Sequence, residues 1–339
     1  MSSTIRSLLK KILVIRFSSI GDIVLTTPAV RCIRKQIPGV ELHYLTRAPF
    51  AGILRNNPYI DKVWSVEDDL QSVIEDLKNE RFDFVADLHH NIRSLRVRTS
   101  LGVPNETFNK LNIEKWLMVN FKLNRLPETH IVSRYMQTVV SLGVKYDDNG
   151  LDFFIGVNDE VDLKSLPEPW NQGYIAFVIG AKHATKRLPP EKIIAIINEM
   201  KLPVVLLGGK EDQQTGDEIV SKSGKFTWNA CGKFNLGQSA SLVKQAVCVI
   251  THDTGLMHIA AAFQQRIISV WGNTIPEFGM TPFLIPGKGQ SVIIENNNLT
   301  CRPCTKIGFE KCPKKHFKCM MEIDVQSIVN QSLTWWNSR

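Results

Sequence analysis

Three short segments combine glycine, hydroxyl, carboxylate and cationic side chains where an apolar run gives way to a helical pattern. The first is Arg16-Phe-Ser-Ser19-Ile-Gly21-Asp22. Gly21 permits a tight turn or the close approach of a ligand. Asp22 falls at a helix start, where the dipole and free N–H groups favour an ionised carboxylate. Such a group either caps the helix or accepts a proton from a hydroxyl nucleophile. The second segment, residues 179–190, holds small residues, the Thr185 hydroxyl and the cations Lys182, Lys186 and Arg187. That mixture suits a phosphate cradle at a strand end, and equally a solvated basic loop. The third is His252-Asp253-Thr254-Gly255-Leu-Met-His258. Backbone N–H groups at Thr254 and Gly255 suit a diphosphate at a helix start. Asp253 is then free for sugar hydroxyls. The structural alternatives are an N-cap for Asp253 and a packed histidine for His258.

Two further groups carry charge or sulfur. Residues 87–98 place His90, Arg93 and Arg96 after a short apolar run. They are candidates for an anionic acceptor, with a solvated basic helix face as the alternative. Seven cysteines do not suit a complete disulfide framework. Four of them, Cys301, Cys304, Cys312 and Cys319, are crowded together. Their spacing admits a structural zinc site or packed thiols.

Positioning these groups requires a particular set of elements. Short apolar runs over 11–16, 40–46, 62–65 and 82–88 alternate with helical spacing over 22–36 and 70–79. Residues 107–143 read as mostly helical. Alternation restarts at 174–179 and continues through strands at 204–207, 247–251 and 267–271, with a last helix over 324–336. Near-continuous apolar strands between helices indicate parallel sheets covered on both faces. The polar, proline-bearing stretch 156–172 is the expected linker. The division is therefore 1–155, a linker, 173–322, and a terminal helix over 323–339. The fold class is α/β, with two Rossmann-like doubly wound domains facing a cleft and ligands beyond the strand C-termini. The lone glycine of the first loop argues against a GxGxxG dinucleotide site.

Bulk properties agree with two folded domains. The chain has 339 residues, 43% hydrophobic and 22% charged, with a net charge of +8. This excludes a disordered tail. A mean hydropathy of −0.08 argues against an integral membrane protein. The basic balance points to an anionic partner. The N-terminus lacks a signal-peptide pattern, so a cytoplasmic location is expected.

The ordered set of segments resembles the lipopolysaccharide heptosyltransferases of glycosyltransferase family 9, over nearly the whole chain. The carriers are Arg16-Phe-Ser-Ser-Ile-Gly-Asp22-Ile-Val-Leu-Thr-Thr-Pro-Ala, His183-Ala-Thr-Lys-Arg-Leu-Pro and His252-Asp-Thr-Gly-Leu-Met-His258-Ile-Ala-Ala-Ala. The resemblance implies the GT-B architecture and inverting, metal-independent transfer of heptose from ADP-heptose to an inner-core acceptor, Kdo or heptose. No catalytic cofactor is implied. Asp22 would be the general base, and Lys186 would stabilise the leaving ADP. Thr185, Arg187, Asp253, Thr254, Gly255 and His258 would line the donor site. Ser19, Gly21, His90, Arg93 and Arg96 would lie on the acceptor side. A terminal helix packing back on the first domain is also expected, with Trp335 and Trp336 docking it.

Two departures stand out. Many members carry an acid for the donor ribose before the helix near 239, where this chain has Asn235-Leu-Gly237-Gln238. His252 stands where Asn or a small residue is frequent. The expected protein is a monomer, peripheral on the inner membrane, without a nucleic-acid partner. Its rivals are a nucleotide-sugar epimerase, a transferase of another activated sugar and a non-enzymatic sugar-nucleotide binder.

Overall fold

The computed structural model describes residues 9–339. Residues 1–8, on which the N-terminal targeting reading partly rests, lie outside them. The chain divides into two compact units. One runs to Lys110 and resumes over Thr129–Phe154, and the other holds Leu111–Glu128 and Ile155–Arg339.

The first unit opens with β1 (Lys11–Ile15), buried along nearly its whole length as a strand covered on both faces must be. Two helices follow, α1 (Ile20–Leu25) and α2 (Thr27–Gln36), in place of the single helix expected over 22–36. Pro28 explains the break, because proline fits the first turn of a new helix and not a helix interior. Next come β2 (Glu41–Arg47), β3 (Lys62–Val66), α3 (Leu70–Asn79), β4 (Phe84–Asp87), α4 (Ile92–Leu101) and β5 (Asn105–Thr107). Helix α5 (Asn112–Phe121) follows β5 in the chain but belongs to the second unit, unlike the expected division at 155. Helix α6 (Ile131–Val140) resumes the first.

The first sheet is parallel, in the order β3-β2-β1-β4-β5. Its direction of growth reverses between β1 and β4, so the segments leaving these two strands flank one crevice. Leu13, Ile15, Leu45, Ile74, Val85 and Val97 form the core beneath it.

The second unit resumes at Ile155 with the linker, which folds into three single-turn 3-10 segments: Val157–Asp159, Leu163–Ser165 and Trp170–Gln172. It continues with β6 (Ile175–Val178), α7 (Pro190–Met200), β7 (Val204–Leu207), α8 (Gln213–Ser223), β8 (Thr227–Asn229), α9 (Leu236–Gln245), β9 (Cys248–His252), α10 (Gly255–Ala262), β10 (Arg266–Trp271), β11 (Gln290–Glu295), α11 (Lys318–Met321) and α12 (Val325–Asn337). The parallel order is β11-β10-β9-β6-β7-β8, reversing between β6 and β9. Helix α12, expected to pack back on the first unit, is grouped with the second. Ile328, Val329 and Trp335 are buried in the second unit's own core, and the Arg266 guanidinium donates to the Trp335 carbonyl at 2.8 Å. The apolar stripe of α12 is matched by α7, β9 and β10, which accounts for its placement. Among the described residues no helix is long and apolar enough to cross a membrane.

Candidate active site

Asp22 enters the first crevice on α1 and is held from two sides. Its Oδ1 lies 2.7 Å from the Arg16 guanidinium. Its Oδ2 accepts from the Ser19 hydroxyl at 2.9 Å and the Ser19 N–H at 3.2 Å. Arg16 is itself fixed, donating to the Leu88 carbonyl at 2.6 Å and the Tyr135 hydroxyl at 2.9 Å. Burial opposes the Arg16 charge, but Asp22 outweighs it and holds the guanidinium above its ordinary range. The Asp22 side chain keeps 19% of its exposure, so part of it stays within reach of a solute. Arg16 is the residue of this group that local pattern reading missed. Its signal was a charged side chain ending a buried strand.

Beyond β4, the buried Asp87 organises the turn. Its Oδ1 accepts from the backbone N–H groups of His89 and His90 at 2.9 and 2.8 Å, and its Oδ2 pairs with Arg98 at 3.0 Å. Arg98 is thereby turned inward, while Arg93 and Arg96 stand exposed on α4. His90 is exposed, with Nδ1 3.0 Å from the Phe108 carbonyl. His89 sits edge-on to Phe17, and burial with the nearby Arg16 charge lowers its pKa to about 3. It is neutral at physiological pH.

In the second unit the segments leaving β6, β9 and β10 converge. Lys186 Nζ lies 2.5 Å from Asp253 Oδ2, which also accepts from the Thr274 hydroxyl at 3.0 Å. Thr254 caps α10, and Gly255 is its first residue. The opening N–H groups of a helix have no intrahelical acceptor, and this end carries the favourable pole for an anion. His258 is buried one turn further on. Thr185 is also buried, and its hydroxyl joins the Phe309 backbone, donating to the carbonyl at 3.0 Å and accepting from the N–H at 2.8 Å. Its side chain therefore fixes the loop that carries Lys186. Arg187 donates to the Ala181 carbonyl at 2.7 Å and faces Asp212 at 3.7 Å. His252 is fully buried, with Nε2 accepting from the Leu188 N–H at 2.9 Å. Burial and the nearby Arg187 lower its pKa to about 3. Thr274 and the Phe309 loop carried no local sequence signal, since they join the site through tertiary contacts alone.

At the head of α9, where an acid was missing from the chain, the linker supplies one. Asp159 accepts from Asn235 Nδ2 at 2.7 Å. It sits so close to Gly237 that a Cβ there would fall 2.3 Å from its Oδ2.

The four crowded cysteines, for which a zinc site and packed thiols were both open, do not gather as a metal-ligand set among the described residues. Cys319 is buried in the core, and burial pushes its thiol up to about 12. The Cys304 thiol donates to the Cys301 carbonyl at 3.2 Å, and Cys301 Sγ lies 3.9 Å from His316 Nε2. Among the described residues, the only three side chains whose ligand atoms gather within 4.8 Å are Glu41, His43 and Glu80. There the Lys11 ammonium lies 3.2 Å from Glu41 and 2.6 Å from Glu80, so a cation is already in place.

Comparison with known proteins completes the assignment. A solved glycosyl transferase family 9 structure from Veillonella parvula superposes with a TM-score of 0.77 at 21% identity, covering 97% of this chain and 98% of its own. The E. coli ADP-heptose lps heptosyltransferase II gives 0.71 at 19%, covering 96% and 98%. These likenesses define the fold as GT-B, two parallel-sheet α/β units. A lipopolysaccharide heptosyltransferase 1 from Campylobacter coli is 26% identical over 288 residues, 78% of this chain and 84% of the relative. The sequence model of glycosyltransferase family 9 (heptosyltransferase) matches residues 70–315, and the chain belongs to that family.

Proposed function

We propose that this glycosyltransferase moves heptose from ADP-heptose to a lipopolysaccharide inner-core acceptor, Kdo or heptose, with inversion and without a catalytic metal ion. The observation that carries the reading is the Lys186–Asp253 pair at the start of α10. It sets an ammonium, a helix N-terminus and a sugar-binding carboxylate side by side, the groups that a sugar diphosphate needs.

The reaction is a single displacement. Asp22 takes the proton of the acceptor hydroxyl as its oxygen bonds to the anomeric carbon. The bond from that carbon to the ADP oxygen breaks, and the pair of electrons leaves with ADP. Lys186 and the N–H groups at Thr254 and Gly255 neutralise the charge that develops there. Thr185 and Arg187 hold the loop that carries Lys186, and His258 shapes the floor beneath the donor. Ser19 and Gly21 set the base in place, and His90, Arg93 and Arg96 receive the anionic acceptor. Because that acceptor is lipid-anchored, the enzyme works as a monomer, peripheral on the cytoplasmic face of the inner membrane.

Acceptor-dependent ADP release, paired with thermal shifts from ADP-, GDP- and UDP-sugars, tests the proposal. Stabilisation by the ADP-sugar and release only with acceptor present are expected. Stabilisation by a UDP-sugar alone would overturn the donor, and conversion of the donor without acceptor would make the protein an epimerase.

A further inference from the structure

We propose that α5 and the loop after Cys301 form a docking surface for an anionic lipid bilayer. The inference deepens the reading above and rests on its lipid-anchored acceptor. Helix α5 buries none of its residues. Ten residues gain too little from their own hydrogen bonds to hold a helix in water, so its apolar side chains call for a cover. Ile113 and Trp116, one turn apart, keep 73% and 55% of their exposure, and Phe121 keeps 64%. The Trp116 and Phe121 rings meet edge to face at 5.2 Å in this exposed setting.

A basic segment adjoins the end of this helix. The Lys122 ammonium donates to the Pro303 carbonyl at 2.7 Å and the Cys301 carbonyl at 3.4 Å, which ties α5 to the loop. Lysines 306, 311, 314, 315 and 318 are all exposed there; Glu310 lies among them, and Glu322 pairs with Lys318 at 3.5 Å. Aromatic rings settle at the headgroup level of a bilayer, while lysines draw in anionic headgroups. A second copy of the chain would bring the same lysines face to face, so like charge disfavours self-association through this surface. A nucleic acid would meet the lysines but leave Ile113 uncovered.

The test is flotation of the full-length protein with phosphatidylcholine vesicles, with or without phosphatidylglycerol, at low and high salt. Salt-sensitive binding to the phosphatidylglycerol vesicles is expected. A Lys311→Gln, Lys314→Gln, Lys315→Gln variant should lose roughly fivefold in partitioning per lysine. A Trp116→Ser, Phe121→Ser variant should also bind more weakly, and brominated lipid should quench wild-type fluorescence more than that of Trp116→Phe. Circular dichroism and acceptor-dependent ADP release with a soluble, delipidated acceptor should be unchanged in all of them. Equal binding by the variants, or no wild-type binding, would overturn the proposal. So would self-association abolished by the same substitutions, or lost turnover on the soluble acceptor. A wild-type protein that binds vesicles yet transfers no heptose would instead overturn the functional reading alone.

Discussion

One carboxylate oxygen of Asp22 lies 2.7 Å from Arg16, and the other takes both donors of Ser19. A carboxylate held in this way has a fixed position. In the proposed reaction its contribution comes from placement against the acceptor hydroxyl. Replacing Asp22 with Asn preserves the shape and removes the proton acceptor. Turnover should fall by about 10²–10⁴, while ADP affinity measured by calorimetry stays nearly constant. Turnover near wild type would remove Asp22 from the chemistry.

Lys186 and Asp253 share a contact, and the proposed donor site places the diphosphate there. Lys186→Ala should lower kcat/KM by about 10²–10³, the scale of losing one transition-state donor. Lys186→Arg should recover part of it. A double-mutant cycle with Asp253→Asn, read by ADP-heptose kinetics, should be non-additive because the side chains touch. Strict additivity would mean that they act on different parts of the substrate.

Arg93 and Arg96 stand exposed on α4, whereas Arg98 is bound to the buried Asp87. Arg93→Ala and Arg96→Ala should raise the acceptor KM and leave the donor KM alone. Arg98→Ala should instead lower the melting temperature, since it strips a buried carboxylate of its ion pair. Unchanged acceptor kinetics in the first two variants would take them out of the site.

His252 sets a pH dependence of stability. Its folded pKa is about 3, against about 6.5 in an unfolded chain. Between these values the unfolded state binds more protons, so stability rises with pH and is lost as pH falls. The contribution is complete above about pH 6.5 and declines by up to about 1.4 kcal/mol per pH unit below it. Urea midpoints should therefore drop between pH 7 and 5, and His252→Gln should flatten that slope. An unaltered slope would show that His252 takes up its proton without cost.

The parts of the fold legible in the sequence were those where physics leaves a local pattern. Buried parallel strands such as β1 and β7 read as continuous apolar runs, and the three chemical segments sit where such runs end. Strands β5 (Asn-Glu-Thr) and β8 (Thr-Trp-Asn) escaped because they are three residues long and lie at sheet edges. Within the candidate site, Asp22, Lys186 and Asp253 were legible as chemistry-bearing residues beside glycine and hydroxyl groups. Arg16 was visible but unassigned, because its partner lies across a turn. Thr274 and Phe309 were illegible, since only the folded chain brings them to Asp253 and Thr185. The terminal helix was legible in its place along the chain but its burial in the second unit's core was not, because an amphipathic stripe names a face and not the surface that covers it.

The placement of α5 has a consequence for anyone cutting or recombining this protein. The chain enters the second unit at Leu111, leaves it at Thr129 and returns at Ile155. A fragment ending in the linker carries off a helix that belongs to the other half, and a fragment starting there lacks it. Chimeras between relatives joined at the linker pair α5 of one parent with the Pro303 and Phe278 surroundings of the other. The units are exchangeable only if residues 111–128 travel with the C-terminal half as a separate insert.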